Sequence, residues 1–410
     1  MTTRDDCLQR DASDELAPLR EQFFLPEGDI YLDGNSLGPV STSSQARVRE
    51  VLDSQWRDGL VRSWNAAGWM DLPLRVGDKI ATLIGARPNE VVAADTLTIM
   101  LAKMIGGALK LRPTRSVILT DAANFHSDVY IAESMASMAG RPVEVRAIDR
   151  NTLGDHLGDD VALVLLTQVD FRTGEQLDVA QITAQVHSSG ALMLWDFAHS
   201  TGAVTLDVTG ADVDFAAGCG YKYLNGGPGA PAFGYINPRW QNVIDNPLRG
   251  WLGHARPFDF VLDYEPADGM RSFITSSPSI LALAALDGAL DVFGQTTMAA
   301  VRAKSLALTD LFIALVDERL PGQFEVVTPR DHARRGSQVS LRHPDSYAIV
   351  QAMIARGVTG DFRDPDIARF GFTPLYLRYV DVYDAVEHLV QVMTNEEFRD
   401  ARFHVRNAVT

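Results

Sequence analysis

An apolar run, Ala191-Leu-Met-Leu-Trp-Asp196, ends in a carboxylate, and 26 residues later Lys222 sits in Gly220-Tyr-Lys222-Tyr-Leu-Asn-Gly-Gly227. Alone, such an acid is commonly a cap or turn former and such a lysine a solvated surface charge. Together they match one chemistry. Pyridoxal phosphate (PLP) needs an amine that forms a Schiff base and an acid that keeps its pyridine nitrogen protonated. Lys222 is the candidate amine, because a buried lysine sheds its charge readily and becomes nucleophilic. Asp196 is the candidate partner of the ring nitrogen, where an ion pair at low dielectric turns the ring into an electron sink. His199 lies three residues further on, placed to touch the cofactor's oxygen or simply to pack. Tyr221 and Tyr223 flank the lysine, each offering a phenol for proton transfer or a ring for the core. The tail Asn225-Gly-Gly-Pro-Gly229 lets the backbone approach a ligand closely.

Other residues suit the rest of such a site. Thr98 precedes a helical pattern that starts at Ile99, so its hydroxyl and the free N–H groups of a helix start suit a phosphate, the plainer reading being an N-cap. Phe125-His-Ser127-Asp128 offers a ring to lie over a flat cofactor, with Ser127 and Asp128 as polar contacts. Arg369, in an apolar segment without an obvious local acid, reads as a clamp for a carboxylate or as half of a structural ion pair. Trp64 and Trp251 sit among polar or glycine residues and suit an aromatic wall or ordinary core.

These residues need a scaffold. Val161-Ala-Leu-Val-Leu-Leu-Thr167 and the run ending at Asp196 are continuously apolar, as in strands buried on both faces of a mainly parallel sheet. A helical pattern from Val179 to Ser188 separates them, which makes a strand–helix–strand unit. Thr167 and Asp196 then lie at strand carboxyl ends, where ligands gather in open α/β sheets. Further strands are expected over 116–120 and 143–148. Beyond residue 279 the pattern changes to long Ala- and Leu-rich helices, then strands at 324–327 and 338–341, a helix over 345–357 and a closing helix from about Asp381. The expected domains are an N-terminal segment, 1–40, belonging to the small domain; a large cofactor domain, 41–280; and a small α+β domain, 281–410.

At 410 residues, with 46% hydrophobic and 22% charged residues, the chain has the composition of an ordinary globular enzyme. A net charge of −16 argues against nucleic acid or an anionic membrane as partner. Cys7 and Cys219 are too few for a disulfide framework and show no metal-ligand spacing, so no metal is expected. No signal segment or membrane-spanning run is read in the sequence, which suits a cytoplasmic protein. No Gly-x-Gly-x-x-Gly follows an early strand, which disfavours a nicotinamide-dependent dehydrogenase.

Taken in order, the segments Tyr31-Leu-Asp-Gly-Asn-Ser-Leu-Gly, Arg62-Ser-Trp64-Asn-Ala-Ala-Gly-Trp69, Phe125-His-Ser-Asp128, Trp195-Asp-Phe-Ala-His199, Tyr221-Lys-Tyr-Leu-Asn-Gly-Gly, Arg249-Gly-Trp251-Leu-Gly-His254 and Gly360-Asp-Phe-Arg with Arg369-Phe-Gly-Phe-Thr-Pro-Leu-Tyr376 resemble the kynureninase family, its bacterial branch above all. The resemblance implies the aspartate-aminotransferase-like fold of PLP enzymes and a homodimer whose active site is shared between subunits. It implies hydrolysis of L-kynurenine to anthranilate and L-alanine in tryptophan catabolism and NAD biosynthesis. Lys222 would carry PLP, with Tyr221 as acid/base and phosphate contact. Leu97 and Thr98 would hold the phosphate, and Phe125, Ser127, Asp128, Thr167, Asp196 and His199 the ring. Trp251 and Ser277 would come from the second subunit. Arg369 would bind the substrate carboxylate, and Trp64 and Ser276 would line the aryl pocket. Trp64, where animal members have histidine, implies a preference for kynurenine over its 3-hydroxy form. His126 replaces the family's usual proline. Another PLP enzyme of this fold, such as an aminotransferase, and a non-catalytic homologue remain as alternatives. A cysteine desulfurase needs a late cysteine, and none follows Cys219.

Overall fold

A computed structural model of the chain describes residues 2–406. Its centre is a seven-stranded sheet in the order Val91–Ala93, Phe233–Ile236, Phe215–Gly218, Leu192–Asp196, Val161–Thr167, Val117–Asp121, Glu144–Ile148. Five adjacent strands run parallel, and Phe233–Ile236 is antiparallel to both of its neighbours. The apolar runs at 161–167 and 192–196 are buried along their whole length, because helices cover both sheet faces and two large apolar clusters fill those layers. Their register sets Thr167 beside Asp196 at the carboxyl end of the sheet.

A second, antiparallel sheet joins Asp361–Arg363, Ile367–Gly371, Gln338–Arg342 and Glu325–Val326. Helices Met298–Arg319, Ser346–Ala355 and Tyr379–Thr394 accompany it. The N-terminal segment closes onto this region. Strand Ile30–Tyr31 pairs in parallel with Val358–Thr359, Arg4 bonds Asp384, and the Asp11 carboxylate caps the free N–H groups of Tyr379 and Val380. The same segment then reaches the Lys222 turn. Gly38 N–H donates to the Tyr221 carbonyl at 2.8 Å, and a Cβ on Gly38 would stand 2.6 Å from the Lys222 carbonyl, an approach that only glycine permits.

One region departs from ordinary helix. Residues Val51–Gly59 form a π-helix, which ends at Leu60 with φ of 50°. Gln55 within it accepts the indole N–H of Trp69 at 2.8 Å. Among the described residues no helix is long and apolar enough to cross a membrane.

Candidate active site

The carboxyl ends of the parallel strands gather the chemistry. Asp196 closes its strand at 2% exposure. Its Oδ1 accepts from Ala198 N–H at 2.7 Å, and its Oδ2 from the Thr167 hydroxyl at 3.4 Å. Thr167 also bonds Asn124 Oδ1 at 2.5 Å, so Asn124, which the sequence did not single out, steadies this strand end. Lys222 Nζ lies 2.8 Å from His199 Nε2. The imidazole Nδ1 is buried without a partner.

Asp128 is in the first turn of helix His126–Ser137. It is fully buried, and neither carboxylate oxygen has a partner. Burial, and then the nearby Asp196, hold its carboxyl well above the usual range. Burial also raises Asp196, against the pull of Lys222. Desolvation lowers Lys222, and Arg369 and Arg363 add to that. Desolvation and then Lys222 keep His199 neutral. Burial raises the Tyr221 phenol, next to Cys219, so it stays protonated. Two buried acids, a neutral imidazole and a readily discharged amine thus share one pocket. Asp128 and the His199 Nδ1 lack partners, and an acid and an amine stand ready for the protonated ring nitrogen and the aldehyde of a flat heterocycle, so the residues fit PLP.

The phosphate end differs from expectation in one detail. The helix runs Leu97–Leu111, and Thr96 is its cap, accepting from Ile99 N–H. Asp95 takes φ of 54°, and this turn starts the helix two residues earlier than the pattern from Ile99 suggested. Thr98 is therefore no cap. It is exposed in the first turn with its hydroxyl unbonded, and the leading N–H groups of Leu97 and Thr98 are open to an anion. Lys103, fully buried, bonds both Asp95 Oδ2 and the Phe273 carbonyl at 2.5 Å. It pairs with the Asp95 carboxylate beside this cradle.

Phe125 caps the helix of Asp128 and packs edge-on against Phe171 at 5.1 Å. Ser127, partly buried, makes no side-chain hydrogen bond. His126 is the first helical residue and its ring contacts Phe125 at 4.4 Å and Tyr130 at 5.4 Å. Tyr223, the other phenol beside Lys222, is committed to structure through its bond to the Ser337 carbonyl.

Arg369 corrects the sequence reading. It has a local acid: Asp361, directly opposite across the hairpin. The two side chains are 1% and 2% exposed. Arg369 Nε donates to Asp361 Oδ1 at 2.7 Å, and Nη2 to Oδ2. The spacing of eight residues around Asp364-Pro-Asp366 is the one sequence signal that pointed to it. Trp64 packs edge-on with Trp69 at 5.8 Å in a separate apolar cluster. Trp251, Ser276 and Ser277 lie on exposed segments. None of these four has a bond to the Lys222 group within one chain.

A parallel sheet carrying a lysine and an aspartate at its carboxyl edge, with a helix start for a phosphate, defines a PLP-dependent enzyme of the aspartate-aminotransferase fold class. Solved structures of that class align closely. An apo cysteine desulfurase from Thermococcus onnurineus NA1 superposes with a TM-score of 0.78 over 92% of this chain and 97% of its own, at 18% identity. A C-DES mutant with glycine covalently linked to its PLP cofactor gives 0.76 over 90% and 98%, also at 18% identity. These likenesses show the fold alone. The sequence is more specific. Residues 301–389 match the model of the kynureninase C-terminal domain. The kynureninases of Pseudomonas fluorescens and Burkholderia mallei (strain SAVP1) are each 49% identical to this chain over the full length of both. The chain belongs to the kynureninase family, and its cofactor is pyridoxal 5′-phosphate.

Proposed function

We propose that the residues described above divide the work of hydrolysing L-kynurenine to anthranilate and L-alanine as follows. PLP, when bound, supplies an aldehyde for the substrate amine and a ring that takes up electrons as bonds at the substrate break. Lys222 holds the aldehyde at rest, and its discharged amine then moves the proton at the substrate α-carbon. Asp196 keeps the ring nitrogen protonated, with Thr167 and Asp128 around it. His199, uncharged, serves the ring oxygen, and Phe125 covers the ring with Ser127 at its edge. Thr98, Leu97 and Tyr221 hold the phosphate. Tyr221 also donates a proton to the oxygen of the aryl ketone as water adds. The hydroxyl of that water ends in the carboxylate of anthranilate and a proton in the methyl group of alanine. Arg369 orients the substrate carboxylate, and Trp64 and Ser276 line the aryl pocket.

The same reading assigns residues 1–40 and 281–410 to the small domain and 41–280 to the large one. It also makes the working form a homodimer. Supporting this, one stretch exposes Trp251 (40%), Phe258 (61%), Phe260 (82%) and Leu262 (102%), an apolar face of the kind that marks a protein interface. A second copy there would bring Trp251 and Ser277 to the neighbouring pocket. Two free, buried cysteines suit a reducing cytoplasm.

The observation that supports the reading most is the meeting of Lys222, His199 and two buried acids at the strand ends of a chain nearly half identical to kynureninases. The test is to supply PLP-loaded protein with kynurenine or 3-hydroxykynurenine and no keto acid. Fluorescent aromatic product and alanine in equal amounts are expected, faster from kynurenine. No product from either would refute the assignment, and alanine-free transamination on adding a keto acid would favour an aminotransferase.

A further inference from the structure

Arginine has five N–H donors. In Arg369 four are occupied: two by Asp361, one by the Ser36 hydroxyl oxygen at 3.0 Å and one by the Phe171 carbonyl at 2.6 Å. A single Nη1 donor remains, so Arg369 cannot grip a carboxylate in the two-pronged manner of a free guanidinium. A second donor has to complete the grip. Arg363 stands two residues from Asp361 along the same strand, hence on the same sheet face. Its Nη2 forms an ion pair with Asp361 Oδ2 at 2.7 Å, and its Nη1 donates to the Phe362 carbonyl at 2.9 Å. The other N–H groups of Arg363 are unbonded, and its side chain is 34% exposed where that of Arg369 is 1% exposed. Asp361 therefore ties Arg363 to Arg369 on one face of the sheet, and both guanidinium groups act electrostatically on Lys222 and His199. Ser36, from the N-terminal segment, donates to Asp361 Oδ2 at 2.7 Å and locks the cluster from the other side.

We propose that the substrate's α-carboxylate is held by two arginines, Arg369 and Arg363, which Asp361 yokes together and Ser36 steadies. Arg363 is a binding residue, and Asp361 and Ser36 are positioning residues. The inference rests on the carboxylate role of Arg369. It adds that this role is incomplete without its exposed neighbour.

The experiment titrates PLP-loaded protein calorimetrically with L-alanine, the reaction product, and with L-alaninamide, which has no carboxylate. In parallel it measures kcat and KM for kynurenine. Arg363→Gln is expected to weaken L-alanine about 10-fold and leave L-alaninamide within about 3-fold, with KM rising more than kcat falls. Asp361→Asn is expected to lose the same discrimination while PLP content holds, and Ser36→Ala to lose a smaller part of it. Arg369→Met is the control for the underlying reading. If it abolishes discrimination while Arg363→Gln changes nothing, or weakens both ligands equally, the two-arginine site is wrong and the single-arginine reading stands. If Arg369→Met itself leaves discrimination intact, the carboxylate is bound elsewhere and both readings fall.

Discussion

Two charged clusters lie within each other's electrostatic reach and are built on opposite plans. At the strand ends, the Asp128 carboxylate and the His199 Nδ1 are buried with no hydrogen-bond partner. In the hairpin, both oxygens of Asp361 are engaged, by hydrogen bonds from Arg369 and Ser36 and by an ion pair with Arg363. The first arrangement costs stability, because buried polar groups go unsatisfied. It is the arrangement of a site held ready for charge that arrives with a cofactor. In the second the carboxylate is fully engaged, so its place is set before any ligand enters, while Arg369 and Arg363 keep unused N–H donors. The contrast separates a cluster left open from one whose carboxylate is closed.

The contrast is broken most severely at Lys222. Lys222→Ala is expected to lower aromatic product formation at least ~1,000-fold, since the covalent link and the base vanish together. Borohydride should then no longer attach a pyridoxyl group at position 222, which peptide mass analysis checks. Asp196→Asn is expected to cost about 100- to 1,000-fold through the lost electrostatic partner of the ring nitrogen, with a changed cofactor absorption spectrum as the second readout.

Asp33 sharpens the comparison from the hairpin side. Burial, followed by repulsion from Asp361, pushes its carboxyl up to about 7, against about 4 for an unfolded aspartate. The folded state therefore binds this proton more tightly. The stabilisation is complete below pH 4 and is lost as pH rises through 7. Asp33→Asn should match the wild type near pH 4 and exceed it at pH 8, by ~1 kcal/mol or more, in urea melts at the two pH values. An equal difference at both would discard the idea.

The smallest effect concerns His126. It occupies the first helical position, where the lost N–H of proline has no cost and its fixed φ suits the helix. His126→Pro is expected to add about 0.4–1 kcal/mol, read as a slightly higher melting temperature with unchanged PLP affinity. The present contacts of the imidazole with Phe125 and Tyr130 take over part of the restraint that proline would give.

What was legible in the sequence was what short-range pattern encodes. Continuous apolar runs gave the buried parallel strands, and their polar last residues, Thr167 and Asp196, lie in register at one sheet edge. The lysine in its glycine-rich turn likewise stood out. The short strands Val91–Ala93, Phe215–Gly218 and Phe233–Ile236 did not, since three or four residues carry too little pattern to distinguish them. The helix cap was misplaced from Thr96 to Thr98 because a left-handed Asp95 has no periodic signature. The partners of Arg369 escaped because Asp361 meets it through hairpin register, and Ser36 and Phe171 meet it from far along the chain. The π-helix at 51–59 was unreadable for a related reason, as its apolar spacing is close to that of an ordinary helix.

The parallel pairing of Ile30–Tyr31 with Val358–Thr359 sets the order of events at the ribosome. The first strand to be synthesised waits for almost the last, and such distant closure is slow. Ser36 rides on that early segment and Asp361 on the late one, so a nascent chain can shape its central sheet, complete by Ile236, long before the two can meet. The Asp361–Arg369 hairpin is thus among the last parts of this polypeptide to be fixed in place.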